Sequence, residues 1–252
     1  RYPDRDATVL RTAIGKFINS LSGTNFAADA IWAANGSNEI IQSLFMAFGD
    51  RDALGFTPSY SMHPLIAKVI GVNWHDGGRR ADFTLDTAKA ISEITSKKPA
   101  LTFITTPNNP TGTLLKIVEI EELAKATAQV NGLLVVDEAY AEFSSETSAV
   151  TLIAKYPNLV VIRTMSKAFA FAGARVGYLV ANPEVIDAMY LVRLPYHLSA
   201  ITQAAAEVAL EYQGELLGTV ATLIESRKKV VTALVDMGLE VAPSSANFII
   251  FS

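Results

Sequence analysis

Cysteine is absent from the 252 residues, which excludes disulfides, thiolate nucleophiles, iron–sulfur clusters and cysteine zinc sites. Histidine is scarce. The three, at positions 63, 75 and 197, lack the close spacing of a helical metal-binding pair, so no metal site is expected. An excess of either charge is also lacking. A net charge of −4 argues against a nucleic-acid binder that works by charge. No apolar run approaches the roughly 18 residues that a membrane helix needs, and no signal peptide opens the chain. There is no P-loop lysine motif and no G-x-G-x-x-G after a strand, so a nucleotide-binding reading has no anchor. What remains as the expectation is a soluble, cytoplasmic protein.

Half of the residues are hydrophobic, and at roughly 100–200 residues per domain the length fits one large or two small domains. Helical periodicity runs through Leu10, Ala13, Ile14, Phe17, Ile18 and Leu21. A second helix is expected after Gly36-Ser37 and ends at Gly49. Short apolar runs follow at 53–57, 71–74, 100–105, 133–136, 159–162 and 176–180, several of them apolar at every position, as in strands buried on both faces. Helical patterns lie at 116–130, from the Asn182-Pro183 cap to about residue 193, from Ser199 towards Tyr212, and over 215–237. The alternation predicts an α/β fold with a largely parallel sheet.

In such a sheet, ligands bind beyond the carboxyl ends of the strands. Four predicted ends carry suggestive chemistry: Thr57-Pro58-Ser59-Tyr60, the 106–112 turn with Asn109, Asp137-Glu138-Ala139-Tyr140, and Arg163-Thr164-Met165-Ser166-Lys167. Each feature has an ordinary reading beside a functional one. Asp137, driven to the end of a buried strand, needs a partner, and a helix N-cap or a structural ion pair would serve as well as a ligand. Lys167, next to Ala168-Phe169-Ala170-Phe171, fits a desolvated amine suited to Schiff-base chemistry, or a solvated lysine in a helix turn capped by Ser166. Tyr60 fits a core aromatic or a ring stacked on a planar cofactor. Arg175 fits an ion-pair partner or a phosphate clamp. The Gly36-Ser37-Asn38-Glu39 start fits an ordinary helix or amides aimed at a phosphate.

The order of these features carries more than any one of them. An amide-rich helix start, an aromatic, Asn109, Asp137 with Tyr140, Ser166-Lys167 and Arg175 follow one another. With Arg1-Tyr2-Pro3-Asp4, 32–39, 136–143, 164–169 and 194–199, the chain resembles, end to end, the fold-type-I pyridoxal-phosphate enzymes. Within them it is most similar to the histidinol-phosphate aminotransferase branch of the class I and II aminotransferases.

That resemblance implies a three-layer αβα sandwich with a mostly parallel sheet, the large domain of this fold type, over 1–238, and the start of a second, small domain over 239–252. It implies pyridoxal 5′-phosphate on Lys167 as a Schiff base, with Asp137 facing the pyridine nitrogen. Asn109 and Tyr140 would contact the phenolate oxygen, and Tyr60 would stack on the ring. Ser37, Asn38, Thr164, Ser166 and Arg175 would surround the phosphate. A homodimer is implied, with Tyr2 reaching the partner's phosphate and Tyr196-His197 near the mouth of a neighbouring site. His63 and His75 read as structural or exposed. The implied reaction moves an amino group between histidinol phosphate and 2-oxoglutarate in histidine biosynthesis. Aromatic amino-acid aminotransferases, threonine-phosphate decarboxylases and non-catalytic cofactor-binding modules share parts of the pattern. The start at Arg1 and the stop just after Phe248-Ile249-Ile250-Phe251 suggest a piece of a longer protein, lacking the substrate-selecting ends.

Overall fold

Among residues 2–252, which the computed structural model describes, seven strands form one sheet. They are β1 (Ile31–Ala34), β2 (Ala53–Gly55), β3 (Trp74–Asp76), β4 (Leu101–Thr105), β5 (Leu133–Asp137), β6 (Leu159–Thr164) and β7 (Gly177–Val180). Their spatial order is β1-β7-β6-β5-β4-β2-β3. All neighbouring pairs from β6 across to β3 are parallel, and β7 is antiparallel to both β6 and β1. The carboxyl ends of β2, β4, β5 and β6 therefore share one edge.

Eight helices cover the sheet: α1 (Thr8–Ser22), α2 (Ser37–Phe48), α3 (Met62–Ile70), α4 (Thr87–Lys97), α5 (Ile117–Gln129), α6 (Pro183–Val192), α7 (Ala200–Glu211) and α8 (Gln213–Asp236). Two cores separate at the sheet because strand side chains alternate in direction. Leu134, Val136, Leu159 and Val161 pack with α1, α4, α5 and α7. Val135, Val160 and Ile162 pack with α2, α3 and α6 on the other face. The fold is thus the expected three-layer αβα sandwich with one strand reversed.

Local signals explain most boundaries. Asn182 caps α6 by accepting the Glu184 amide, and Ser199 caps α7 by accepting that of Thr202. The predicted strand at 71–74 is displaced. Gly71, at φ +90°, closes α3, and pairing begins only at Trp74. The strand β1 and the helices α3 and α4 carry no expectation from the sequence. At the end of the chain, the apolar run Phe248-Ile249-Ile250-Phe251 forms an isolated antiparallel bridge, Phe251 to Val241.

Candidate active site

At the shared strand edge lies a cavity of about 150 Å³. Ten of the eleven predicted site residues line it, and Tyr2 does not. Asp137, the last residue of β5, is 2% exposed. Its Oδ2 lies 3.2 Å from His63 Nε2, and its Oδ1 accepts the Ala139 amide at 3.1 Å. Only a short 3₁₀ turn at Ala141–Phe143 follows, so Asp137 is not the N-cap of a helix. His63, on α3, is itself buried, with its ring 4.8 Å from that of Phe103 and edge-on to Tyr60 at 5.4 Å. The sequence reads it as structural or exposed; it is buried, and the signal for its contact with Asp137 lies in its position three residues after Tyr60.

Across the cavity stand Tyr140, Asn109 and Lys167. Asn109 Nδ2 donates to the Tyr140 hydroxyl at 3.4 Å. Burial pushes the Tyr140 phenol up to about 12, with the Asp137 carboxylate adding to it, so the hydroxyl keeps its proton at neutral pH. Lys167 Nζ lies 5.6 Å from the centre of the Tyr140 ring. Lys167 sits in the turn after β6 and is exposed, which corrects the desolvated reading and bears out a solvated amine, though not in a helix. The neighbouring Ala168 and Phe169 point into the core and leave the amine at the cavity mouth, and no helix begins at Ser166.

The far end of the cavity is a cradle of backbone. Gly36, at φ +80°, leads into α2, and no side chain caps the amides there. A Cβ on Gly36 would sit 2.6 Å from the Arg175 guanidinium, and one on Gly177 would sit 2.6 Å from Gly36 C and Ser37 N. Only glycines let β7, the α2 start and Arg175 approach this closely. Thr164 donates to the Val176 carbonyl at 3.1 Å and lies 2.9 Å from the Ser166 hydroxyl. Tyr60 donates to Asn38 Oδ1 at 3.1 Å, which ties the aromatic to the cradle. Uncapped helical amides beside a guanidinium form a site for a phosphate-sized anion. A buried carboxylate sits at one end of the cavity and an exposed amine at its mouth. Together these groups fit pyridoxal phosphate in charge and in order.

The family description "Aminotransferase class I and II" matches residues 1–252. The chain belongs to this family. A histidinol-phosphate aminotransferase from Mycolicibacterium vanbaalenii is 54% identical over 255 residues, covering 100% of this chain and 68% of that protein. One from Mycobacterium marinum is 53% identical, covering 100% and 66%. The chain thus spans about two thirds of the length of the curated relatives it matches. Among solved structures, the histidinol-phosphate aminotransferase of Clostridium acetobutylicum superposes with a TM-score of 0.89 at 26% identity, over 99% of this chain and 73% of that one. The Sinorhizobium meliloti enzyme in complex with pyridoxal-5′-phosphate gives 0.90 at 24% identity, over 100% and 67%.

Two aminotransferase motifs fall elsewhere than the cavity. Tyr2 is 81% exposed and stacks on Tyr196 at 4.7 Å. Arg1, which precedes it in the motif, lies outside the described residues. His197 is half-buried and not a surface histidine. Its ring stacks on Trp32 at 5.6 Å, its Nε2 lies 2.9 Å from the Ala33 carbonyl, and its own carbonyl accepts Asn35 Nδ2 at 2.5 Å. It braces the chain that leads from β1 into the cradle. His75 pairs with Asp52 at 2.7 Å, away from the site. Among the described residues, no helix is long and apolar enough to cross a membrane.

Proposed function

We propose that the protein is a pyridoxal-phosphate-dependent aminotransferase acting on histidinol phosphate, with 2-oxoglutarate as the amino acceptor. One observation carries the reading: Asp137, the Asn109–Tyr140 pair, Lys167 and the Gly36–Arg175 cradle surround a single cavity. The names of the 51–54% identical relatives supply the substrate.

Pyridoxal phosphate, when bound, supplies a sink for the electron pair left at the substrate Cα. Asp137 keeps the pyridine nitrogen protonated, because a buried carboxylate favours a cationic partner. Asn109 and Tyr140 donate hydrogen bonds to the ring oxygen. Tyr60 covers the ring face, with its hydroxyl held by Asn38. The amides of Ser37 and Asn38 take the phosphate, with Thr164, Ser166 and Arg175 around it. Lys167 would hold the cofactor through its amine and would take the proton from the substrate Cα. Its place at the mouth of the cavity leaves the amine free to move. Residues 1–238 form the cofactor-binding domain, and 239–252 begin a second one. In a cytoplasmic homodimer, the exposed Tyr2 reaches towards the partner's phosphate site.

Turnover of histidinol phosphate, phenylalanine and threonine phosphate by the full-length protein tests the assignment. The expected outcome is the highest kcat/KM for histidinol phosphate. Preference for phenylalanine, or release of carbon dioxide from threonine phosphate, would overturn it.

A further inference from the structure

β6 is apolar from Leu159 to Ile162 and then carries Arg163, whose side chain is 4% exposed. A guanidinium buried without partners is costly. Here two carboxylates meet it. Nε and Nη2 donate to Glu138 Oε2 at 3.0 and 2.8 Å, and Nη1 donates to Glu142 Oε1 at 3.1 Å. Glu138 also accepts the Ser148 hydroxyl and the Ala149 amide, each at 2.7 Å. Glu142 makes the one bond to Arg163, and burial pushes its carboxyl up towards the neutral form.

The sequence positions of the three give the cluster its meaning. Glu138 follows Asp137, and Glu142 stands two residues after Tyr140. Arg163 precedes Thr164 and stands four residues before Lys167. One guanidinium thus joins the two strand ends that carry Asp137, Tyr140 and Lys167, without lining the cavity itself. The β5–β6 ladder holds Asp137 itself, opposite Ile162, and the Thr106 amide donates to its carbonyl at 3.0 Å. Beyond Asp137, the Glu138 amide donates to the Ile162 carbonyl at 2.9 Å, and the Ala141 and Phe143 amides bond within the segment.

We propose that Arg163, Glu138 and Glu142 are positioning residues, which clamp the 137–143 segment to the end of β6 so that Asp137 and Tyr140 face Lys167. The inference rests on the proposed function. It requires the planar fork of arginine, which engages two carboxylates at once; a lysine of equal charge cannot.

The test compares full-length wild type, Arg163→Lys and the triple variant Arg163→Gln with Glu138→Gln and Glu142→Gln. The triple variant replaces all three charged groups by neutral amides and leaves no uncompensated charge, so it keeps the chain folded if the single variant does not. Two readouts are taken. Amide hydrogen exchange over 138–144, without cofactor, is expected to rise about tenfold in the variants, with exchange in α1 and β1 unchanged. With pyridoxal phosphate, the pH midpoint of the bound-cofactor absorption is expected to shift by about half a unit or more. Unchanged exchange over 138–144 in the folded variants, or an equal rise throughout the chain, would overturn the proposal. A wild type that shows no cofactor absorption would defeat the proposed function, while the exchange result would still decide the clamp.

Discussion

His63 Nε2 lies 3.2 Å from Asp137 Oδ2, with both side chains at most 3% exposed, so a helix from one side of the sheet supplies the side-chain partner of a carboxylate on the strand edge. The ring is wedged between Phe103 and Tyr60, which fixes the direction of its nitrogen. Replacing His63 by Leu keeps the volume and leaves the carboxylate with only the Ala139 amide. We expect a loss of roughly 1–3 kcal/mol in unfolding free energy, read from the urea midpoint at constant m-value. A midpoint equal to wild type would show that the pair contributes nothing.

Gly177→Ala tests the cradle. The added methyl would meet the backbone of Gly36 and Ser37 at 2.6 Å, and backbone cannot rotate out of the way as a side chain can. The start of α2 must shift away from Arg175. Affinity for pyridoxal phosphate, measured by absorbance titration, should fall about tenfold or more, equivalent to ~1.4 kcal/mol. An alanine variant that bound the cofactor like wild type would place the phosphate elsewhere.

The alkaline limb of stability follows from Tyr140. Burial pushes it up to about 12 from its ordinary value of 10.0, so the folded protein holds this proton more tightly than the unfolded chain does. The contribution is complete below pH 10 and is lost as pH rises towards 12. Tyr140→Phe should therefore flatten the fall in melting temperature over that window. In the proposed site the same variant would remove a hydrogen-bond donor from the ring oxygen of the cofactor, and kcat should drop about tenfold at neutral pH. Equal alkaline slopes in the two proteins would contradict the buried phenol.

Much of this was legible before any coordinates. Runs such as Leu134-Val135-Val136 and Leu159–Ile162 are apolar at every position, which requires helices on both faces and predicts the layers directly. Asp137, Tyr140, Thr164 and Lys167 were readable because parallel strands deliver their carboxyl ends to one edge. β1 and α3 were not, because Ile31–Ala34 is too short to show a period and the Tyr60–His63 turn holds no apolar alternation. The surroundings of Lys167 were misread for a related reason. Four apolar or small residues after it suggest burial, but only Ala168 and Phe169 turn inward, and Ala170 and the amine face out. Arg163 was seen only as part of a strand end. An arginine following four apolar strand residues demands acidic partners, and Glu138 and Glu142 were present in the sequence to supply them.

Borohydride reduction of the full-length protein with pyridoxal phosphate, followed by peptide mass spectrometry, bears most directly on the central claim that Lys167 is the cofactor-bearing amine. The account predicts a reduced adduct on Lys167 and its loss in Lys167→Ala. An adduct confined to another lysine, or equal labelling of the Lys167→Ala variant, would contradict it.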